Sequence, residues 1–207
     1  MRSLPFLALV ALAACGGGGD LSASPPPANP DLTAIGGIQG SDAVSPVVDQ
    51  TITLEAVVTG DFQDNDDDTG RNLGGFYVQG ARDGDPATSD GIFVFDGPSP
   101  ATDVSPGDVV TITGTVKEFF GETQVEADTV SVTGAGSVQP TAVNLPVDNL
   151  ERYEGMLVVF PQTLTVSQLR FFERFGEILL SEGGRKYTFT NLNAPSVDGF
   201  DAHVEDV

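Results

Sequence analysis

Between residues 48 and 134 apolar and polar positions alternate along the chain. In residues 51–59, Ile52, Leu54, Ala56 and Val58 fall on one side, and Thr51, Thr53, Glu55 and Thr59 fall on the other. A period of two, rich in Thr and Val, predicts a strand with one buried face. Residues 74–79 and 91–95 are short apolar runs that predict two more strands. The cleanest pattern is 109–117, with Val110, Ile112 and Val116 inward against Thr111, Thr113, Thr115 and Lys117. Gly114 interrupts that inward face, where a barrel strand often bends. Residues 124–132 predict a fifth strand. Nothing in this stretch sustains a helical period.

Five strands in about 85 residues, one kinked at glycine, predict an all-β chain built on a small closed barrel. The count and the long fourth strand fit a five-stranded OB-like barrel over 35–139. Residues 97–106, rich in Pro and Ser, read as loop, so no helix is expected between the third and fourth strands. An immunoglobulin-like sandwich is the alternative, but it wants about seven strands. An incomplete second OB-like β module is expected over 140–207. Its apolar strand region at 154–165 breaks at Pro161. Two further strands, 177–181 and 186–190, flank the turn Glu182-Gly183-Gly184-Arg185. Residues 191–207 have turn residues and little periodicity. Three strands alone leave open edges, so either the chain is a fragment or partner strands come from elsewhere.

Ahead of the barrel, Arg2 and the apolar run Leu4 to Leu12 lead into Leu12-Ala13-Ala14-Cys15. The run is too short to span a ~30 Å bilayer core as a helix. Small residues followed directly by Cys resemble a bacterial lipobox. Residues 1–14 are therefore expected to be a lipoprotein signal peptide, with Cys15 lipidated. The Gly- and Pro-rich stretch 15–34 is expected to be a tether that spaces the body from the membrane. The implied location is exported, an outer-membrane or cell-surface lipoprotein facing the extracellular side.

The 207 residues carry 9 Lys+Arg against 30 Asp+Glu, for a net charge of −21. That argues against a binder that spreads positive charge over its whole surface. One histidine, His203, excludes chemistry that needs two within this chain, and one cysteine excludes a disulfide framework. The acidity is concentrated in the predicted barrel, where only Arg71, Arg82 and Lys117 are basic between 48 and 134. In contrast, 149–190 is balanced, and its bases adjoin aromatics: Arg170-Phe171-Phe172-Glu173-Arg174-Phe175, then Arg185-Lys186-Tyr187.

Two acidic clusters are candidate Ca²⁺ ligands. Asp64, Asp66 and Asp68 alternate in the loop after the first strand, and Asp83, Asp85 and Asp90 precede the third. Carboxylates at alternate positions converge on hard cations in calcium loops. Here the glycine comes one residue late and no closing Glu follows. The competing reading is plain solvation of a surface loop. Phe119 and Phe120 fall in the turn after the fourth strand, which in an OB-fold helps frame the ligand face. They read either as plugs of the barrel end or as rings that stack on bases, worth ~1–3 kcal/mol each.

Several longer words are similar to the OB-like region of the ExeM/NucH family of secreted bacterial endonucleases, which includes the YhcR type. They are Ile38-Gln39-Gly40-Ser41, Thr59-Gly60-Asp61-Phe62-Gln63, Gly74-Gly75-Phe76-Tyr77-Val78-Gln79, Ser89-Asp90-Gly91-Ile92-Phe93-Val94 and Glu118-Phe119-Phe120-Gly121. Last comes Leu150-Glu151-Arg152-Tyr153-Glu154-Gly155-Met156, running on through Phe160-Pro161-Gln162. The resemblance spans about 35–190. It implies a front region that precedes a metal-dependent phosphodiesterase domain with two catalytic histidines. That domain is missing here, so no catalytic residue and no catalytic divalent metal are expected in this chain. The implied function is a non-catalytic, nucleic-acid-binding accessory region of a surface-anchored extracellular nuclease. Its partners would be weakly held nucleic acid (single-stranded DNA foremost), the membrane through its lipid, and the missing catalytic domain. Arg170, Arg174, Arg185 and Lys186 would contact phosphates, and Phe119, Phe120 and Phe171 would stack. The alternative is a calcium-stabilised structural or adhesive surface lipoprotein domain.

Overall fold

A computed structural model describes residues 31–63, 72–175 and 177–206. Five strands close into a barrel: β1 (Thr51–Phe62), β2 (Gly75–Gln79), β3 (Gly91–Phe95), β4 (Asp108–Phe119) and β5 (Glu122–Ala135). The order around the ring is β1-β2-β3-β5-β4, with β1 also paired to β4. All pairings are antiparallel except β3 with β5, which is parallel. The fold is therefore all-β and OB-like, as the alternation predicts. Ile52, Leu54, Ala56, Val58, Val110, Ile112 and Val116 are all buried in the core, with Phe76, Val78, Ile92 and Val94. At Gly114 the β4–β5 register shifts. A Cβ there would lie 2.3 Å from the Glu126 carbonyl oxygen, so only glycine lets the two strands bend together.

Segments outside the five strands also contribute to the core. Between β3 and β4 there is loop, as expected. A short helix α1 (Ile35–Gln39) precedes β1 and inserts Ile35 and Ile38 into the core. Sequence periodicity misses this helix because it has five residues, two of them Gly, and no side-chain cap. Its position is fixed by tertiary bonds: the Gln39 side-chain amide donates to the Gly91 carbonyl at 2.7 Å, and the Ser45 hydroxyl donates to the Ile38 carbonyl.

After the barrel, β6 (Thr141–Ala142) pairs in parallel with β7 (Val158–Val159). Between them runs a strap that contains a 3₁₀ turn, Glu151–Tyr153. Although sequence grouping puts 140–160 with the second module, this stretch is bonded to the barrel. The Ser89 hydroxyl donates to the Glu154 carbonyl at 2.6 Å. The Leu157 amide donates to the Gln79 side chain at 3.0 Å, and the Thr123 amide donates to the Glu154 carboxylate at 2.9 Å. Gly91 makes the close approach possible, since a Cβ there would sit 2.4 Å from the Gly155 carbonyl carbon.

Beyond the strap three expectations are corrected. The 154–165 region does break at Pro161, but it holds only the two-residue β7 and the start of a separate β8 (Thr165–Gln168) in place of a long strand. Residues 177–190 do not form a hairpin: β9 (Leu179–Ser181) pairs back to β8, across helix α2 (Phe172–Phe175), while 186–188 are irregular. The Ser167 hydroxyl accepts the Lys186 amide at 2.9 Å, so the post-turn segment is held by a side chain rather than a ladder. Finally, the C-terminal stretch is helical, in α3 (Phe189–Leu192) and α4 (Val197–Asp206). Phe189 is buried there and meets Phe200 edge-on at 6.3 Å. That tertiary contact, invisible to local pattern, offsets the weak helix propensity of the Asn-, Pro- and Gly-containing sequence.

Candidate functional site

On β2 and β3 the outward face also carries three large aromatic side chains. Strand pleating sends Phe76, Val78, Ile92 and Val94 inward and Tyr77, Phe93 and Phe95 outward. Register places Tyr77 beside Phe93 and Phe93 beside Gln124 in one row. Gly75, Phe95 and Glu126 form the next row. The Tyr77 and Phe93 rings are 4.9 Å apart, and Phe62 meets Tyr77 edge-on at 5.9 Å. The strap covers the row of Gln79 and Gly91, so the outer face is open only from Tyr77 downward.

The open part is a groove of about 340 Å³ lined by Tyr77, Phe93, Phe95, Phe119, Gln124 and Glu126, with Leu73 and Glu122 at its edges. The β4–β5 turn forms its far wall. Phe119 there is 56% exposed and Phe120 is 96% exposed, the two rings edge-on at 4.7 Å. Neither ring enters the barrel, so the reading of either as a plug of the barrel end is corrected. Phe120 also holds a left-handed backbone, φ +52°, which non-glycine residues adopt at a cost. The Tyr77 hydroxyl donates to Glu122 at 2.9 Å, and burial, followed by the Glu122 charge, raises its pKa well above the usual phenol value. Phe93 and Gln124 are buried, so the exposed aromatic surface of the groove comes chiefly from Phe95 and Phe119, with the Glu126 carboxylate beside them. This groove does not itself supply cations for phosphates.

Four carboxylates gather at the strap end. Glu154 accepts the Thr123 amide, and Glu118 accepts the Thr123 hydroxyl at 2.8 Å and the Ser45 amide at 2.8 Å. One oxygen of each is buried without a partner. Burial above all, then Glu151, Glu122 and Glu118, pushes the Glu154 carboxyl up to about 7 against the Thr123 bond that lowers it.

The basic candidates lie elsewhere. Arg170 sits 5.3 Å over the Phe171 ring, and Arg174 is exposed on α2. Arg185 and Lys186 share a cavity of about 450 Å³ with Ser167, Tyr187, Phe189 and Phe200, and Arg185 is 5.4 Å from the Tyr187 centroid. No residue lines both this cavity and the aromatic groove. The structure thus pairs Arg185 with Lys186, Arg170 with Phe171, and Phe119 with Phe120.

Of the acidic candidates, Asp64, Asp66 and Asp68 lie outside the described residues, as does Cys15. Asp83 accepts the Asp85 amide at 2.8 Å, Asp85 accepts the Ala87 amide at 2.9 Å, and Asp90 accepts the Asp83 amide at 3.3 Å. These carboxylates organise their own loop. Among the described residues no group of three or more His, Cys, Asp or Glu is arranged around a metal position. No described helix is long and apolar enough to cross a membrane.

Sequence reasoning missed Tyr77, Phe93 and Phe95 as site residues. The available signal was Gly91–Phe95 itself, a short strand apolar on both faces outside a parallel sheet. Compared with known proteins, the chain matches no protein-family model and no curated protein.

Proposed function

We propose that the chain is a non-catalytic, nucleic-acid-binding accessory region of a surface-anchored extracellular nuclease of the ExeM/NucH type. In this reading it is exported, held at the membrane through Cys15, and positions single-stranded substrate for a catalytic domain not contained in this chain. The observation that carries it is the exposed Phe119–Phe120 tip beside the aromatic groove of β2, β3 and β5. In OB-folds this is the face that receives oligonucleotides. Two unburied Phe rings cost solubility, and one of them also costs backbone strain; a stacked base would offset both. Binding is expected to be weak, because the barrel is acidic and a phosphate backbone approaches it against net repulsion.

Fluorescence anisotropy of a labelled single-stranded oligonucleotide at low salt tests the reading. The double variant Phe119→Ala/Phe120→Ala should weaken binding by about tenfold or more, with an unchanged melting midpoint. No binding by the parent protein at low salt, with calcium present, would remove the recognition role.

A further inference from the structure

Two guanidinium groups converge where the strap meets the barrel. Arg82 follows β2 and Arg152 lies in the 3₁₀ turn of the strap; both line a pocket of about 300 Å³ with Thr88, Thr141 and Tyr153. The Arg82 Nη2 donates to the Thr141 hydroxyl at 2.7 Å. The Arg152 guanidinium stands 5.0 Å from the Tyr153 ring centroid. Its Nε is buried and has no acceptor. Among the described residues, neither arginine is within ion-pair distance of a carboxylate, although the surrounding barrel is densely acidic; the exposed Lys117, by contrast, pairs with Asp49 at 2.6 Å.

We propose that this pocket is an oxyanion site that takes the phosphate group of a nucleotide. Assigning that phosphate to a nucleic-acid backbone rests on the function proposed above. A buried donor with no acceptor is destabilising until a ligand or water satisfies it. Arginine's planar fork suits phosphate oxygens, and Arg82 and Arg152 bring two such forks from separate segments to the lining of one pocket. The Thr88 hydroxyl, also in the lining, donates to the Asp83 carboxylate at 3.2 Å. The Tyr153 ring, 5.0 Å from the Arg152 guanidinium, supports that group from one side and lines the same pocket. Two carboxylates also line the pocket, and each is engaged: Asp85 accepts the Ala87 amide, and Asp90 accepts the Asp83 amide. Burial raises the Asp90 pKa, while the Asp83 amide and the nearby Arg82 charge lower it, so Arg82 already faces one carboxylate of the lining. The pocket lies on the same barrel as the aromatic groove, with the strap between them, so one strand of nucleic acid has a place for a phosphate and a place for a base. Sequence reasoning put phosphate contacts at Arg170–Lys186 because bases cluster there. Arg82 and Arg152 are 70 residues apart and come together only in the fold.

The test is titration of the full chain at low salt, followed by backbone NMR, first with inorganic phosphate and then with a single-stranded decamer. Phosphate should shift the amides of Thr88, Thr141 and Tyr153. Arg152→Gln and Arg82→Gln should each weaken phosphate about tenfold, and Arg152→Lys should recover only part of the loss, since it restores charge without the fork. Melting midpoints show whether the variants keep the strap seated, and Phe119→Ala/Phe120→Ala should leave the phosphate response intact. Phosphate shifts confined to 170–190, or equal phosphate affinity in Arg152→Gln, would overturn the site. Phosphate bound here with no variant or parent binding the decamer supports the site and defeats the nucleic-acid reading instead.

Discussion

Phe120 combines a wholly exposed ring with a left-handed backbone, and the two features pull apart under substitution. Phe120→Gly removes the backbone cost, on the order of 1–2 kcal/mol for a non-glycine residue, and removes the ring. The thermal midpoint should hold or rise while affinity for single-stranded oligonucleotide falls about fivefold or more. A midpoint lowered by several degrees would mean that the ring packs and does not serve a ligand. Glu154 gives a second residue-level prediction. Its folded carboxyl titrates near 7, above the ordinary 4.5, because burial and three neighbouring carboxylates disfavour the charge. The folded state therefore holds this proton more tightly than the unfolded chain. The associated stability is full below about pH 4.5 and is lost as pH rises through 7. Glu154→Gln keeps an oxygen for the Thr123 amide but no charge, so its midpoint should match the parent at pH 5 and exceed it by about 2–4 °C at pH 8. Equal midpoints at both pH values would remove Glu154 from the pH response. The sequence shows Glu154 only as an acid before an apolar run. That Glu118 and Glu122 come to meet it depends on the strap's return to β5, which no local pattern encodes.

At the scale of elements, what was legible followed from periodicity. β1 and β4 alternate so regularly that their inward residues can be read off, and the Gly114 kink falls where the register shifts. Helices α1, α3 and α4 were not legible, because their sequences are short or weakly helical and packing decides them. The strap was also hidden. Its words Gly91, Gln79 and Glu154-Gly155 read as family signature, whereas in the fold they are the latch: a glycine facing a glycine, a buried amide accepting a strap N–H, and a carboxylate accepting one from β5. Gly91→Ala tests that reading. Its methyl would meet the Gly155 backbone and lift the strap, so a midpoint lower by about 5–10 °C and faster proteolysis between 145 and 160 are expected. An unchanged proteolytic pattern would show that the strap is held by other contacts.

For the whole molecule, a net charge of −21 sets two responses of opposite sign. Self-repulsion among the barrel's carboxylates destabilises the compact state, so screening should raise the midpoint as NaCl goes from about 20 to 500 mM. Phosphate contacts are weakened by the same screening, so oligonucleotide affinity should fall over the same range. Calcium separates a specific ion from general screening. Asp83, Asp85 and Asp90 each accept an amide of their own loop, so a cation there would compete with bonds already made, which makes the sequence run Asp64, Asp66 and Asp68 the candidate to test first. At matched ionic strength, millimolar calcium should raise the midpoint above that in chelator, and Asp66→Asn should abolish the increment while Asp85→Asn should not. Equal midpoints in chelator and calcium would leave screening as the sole ionic effect. The acidic composition would then act through repulsion alone and, under the function proposed above, would confine nucleic-acid contact to the aromatic groove and the few basic positions of the fold.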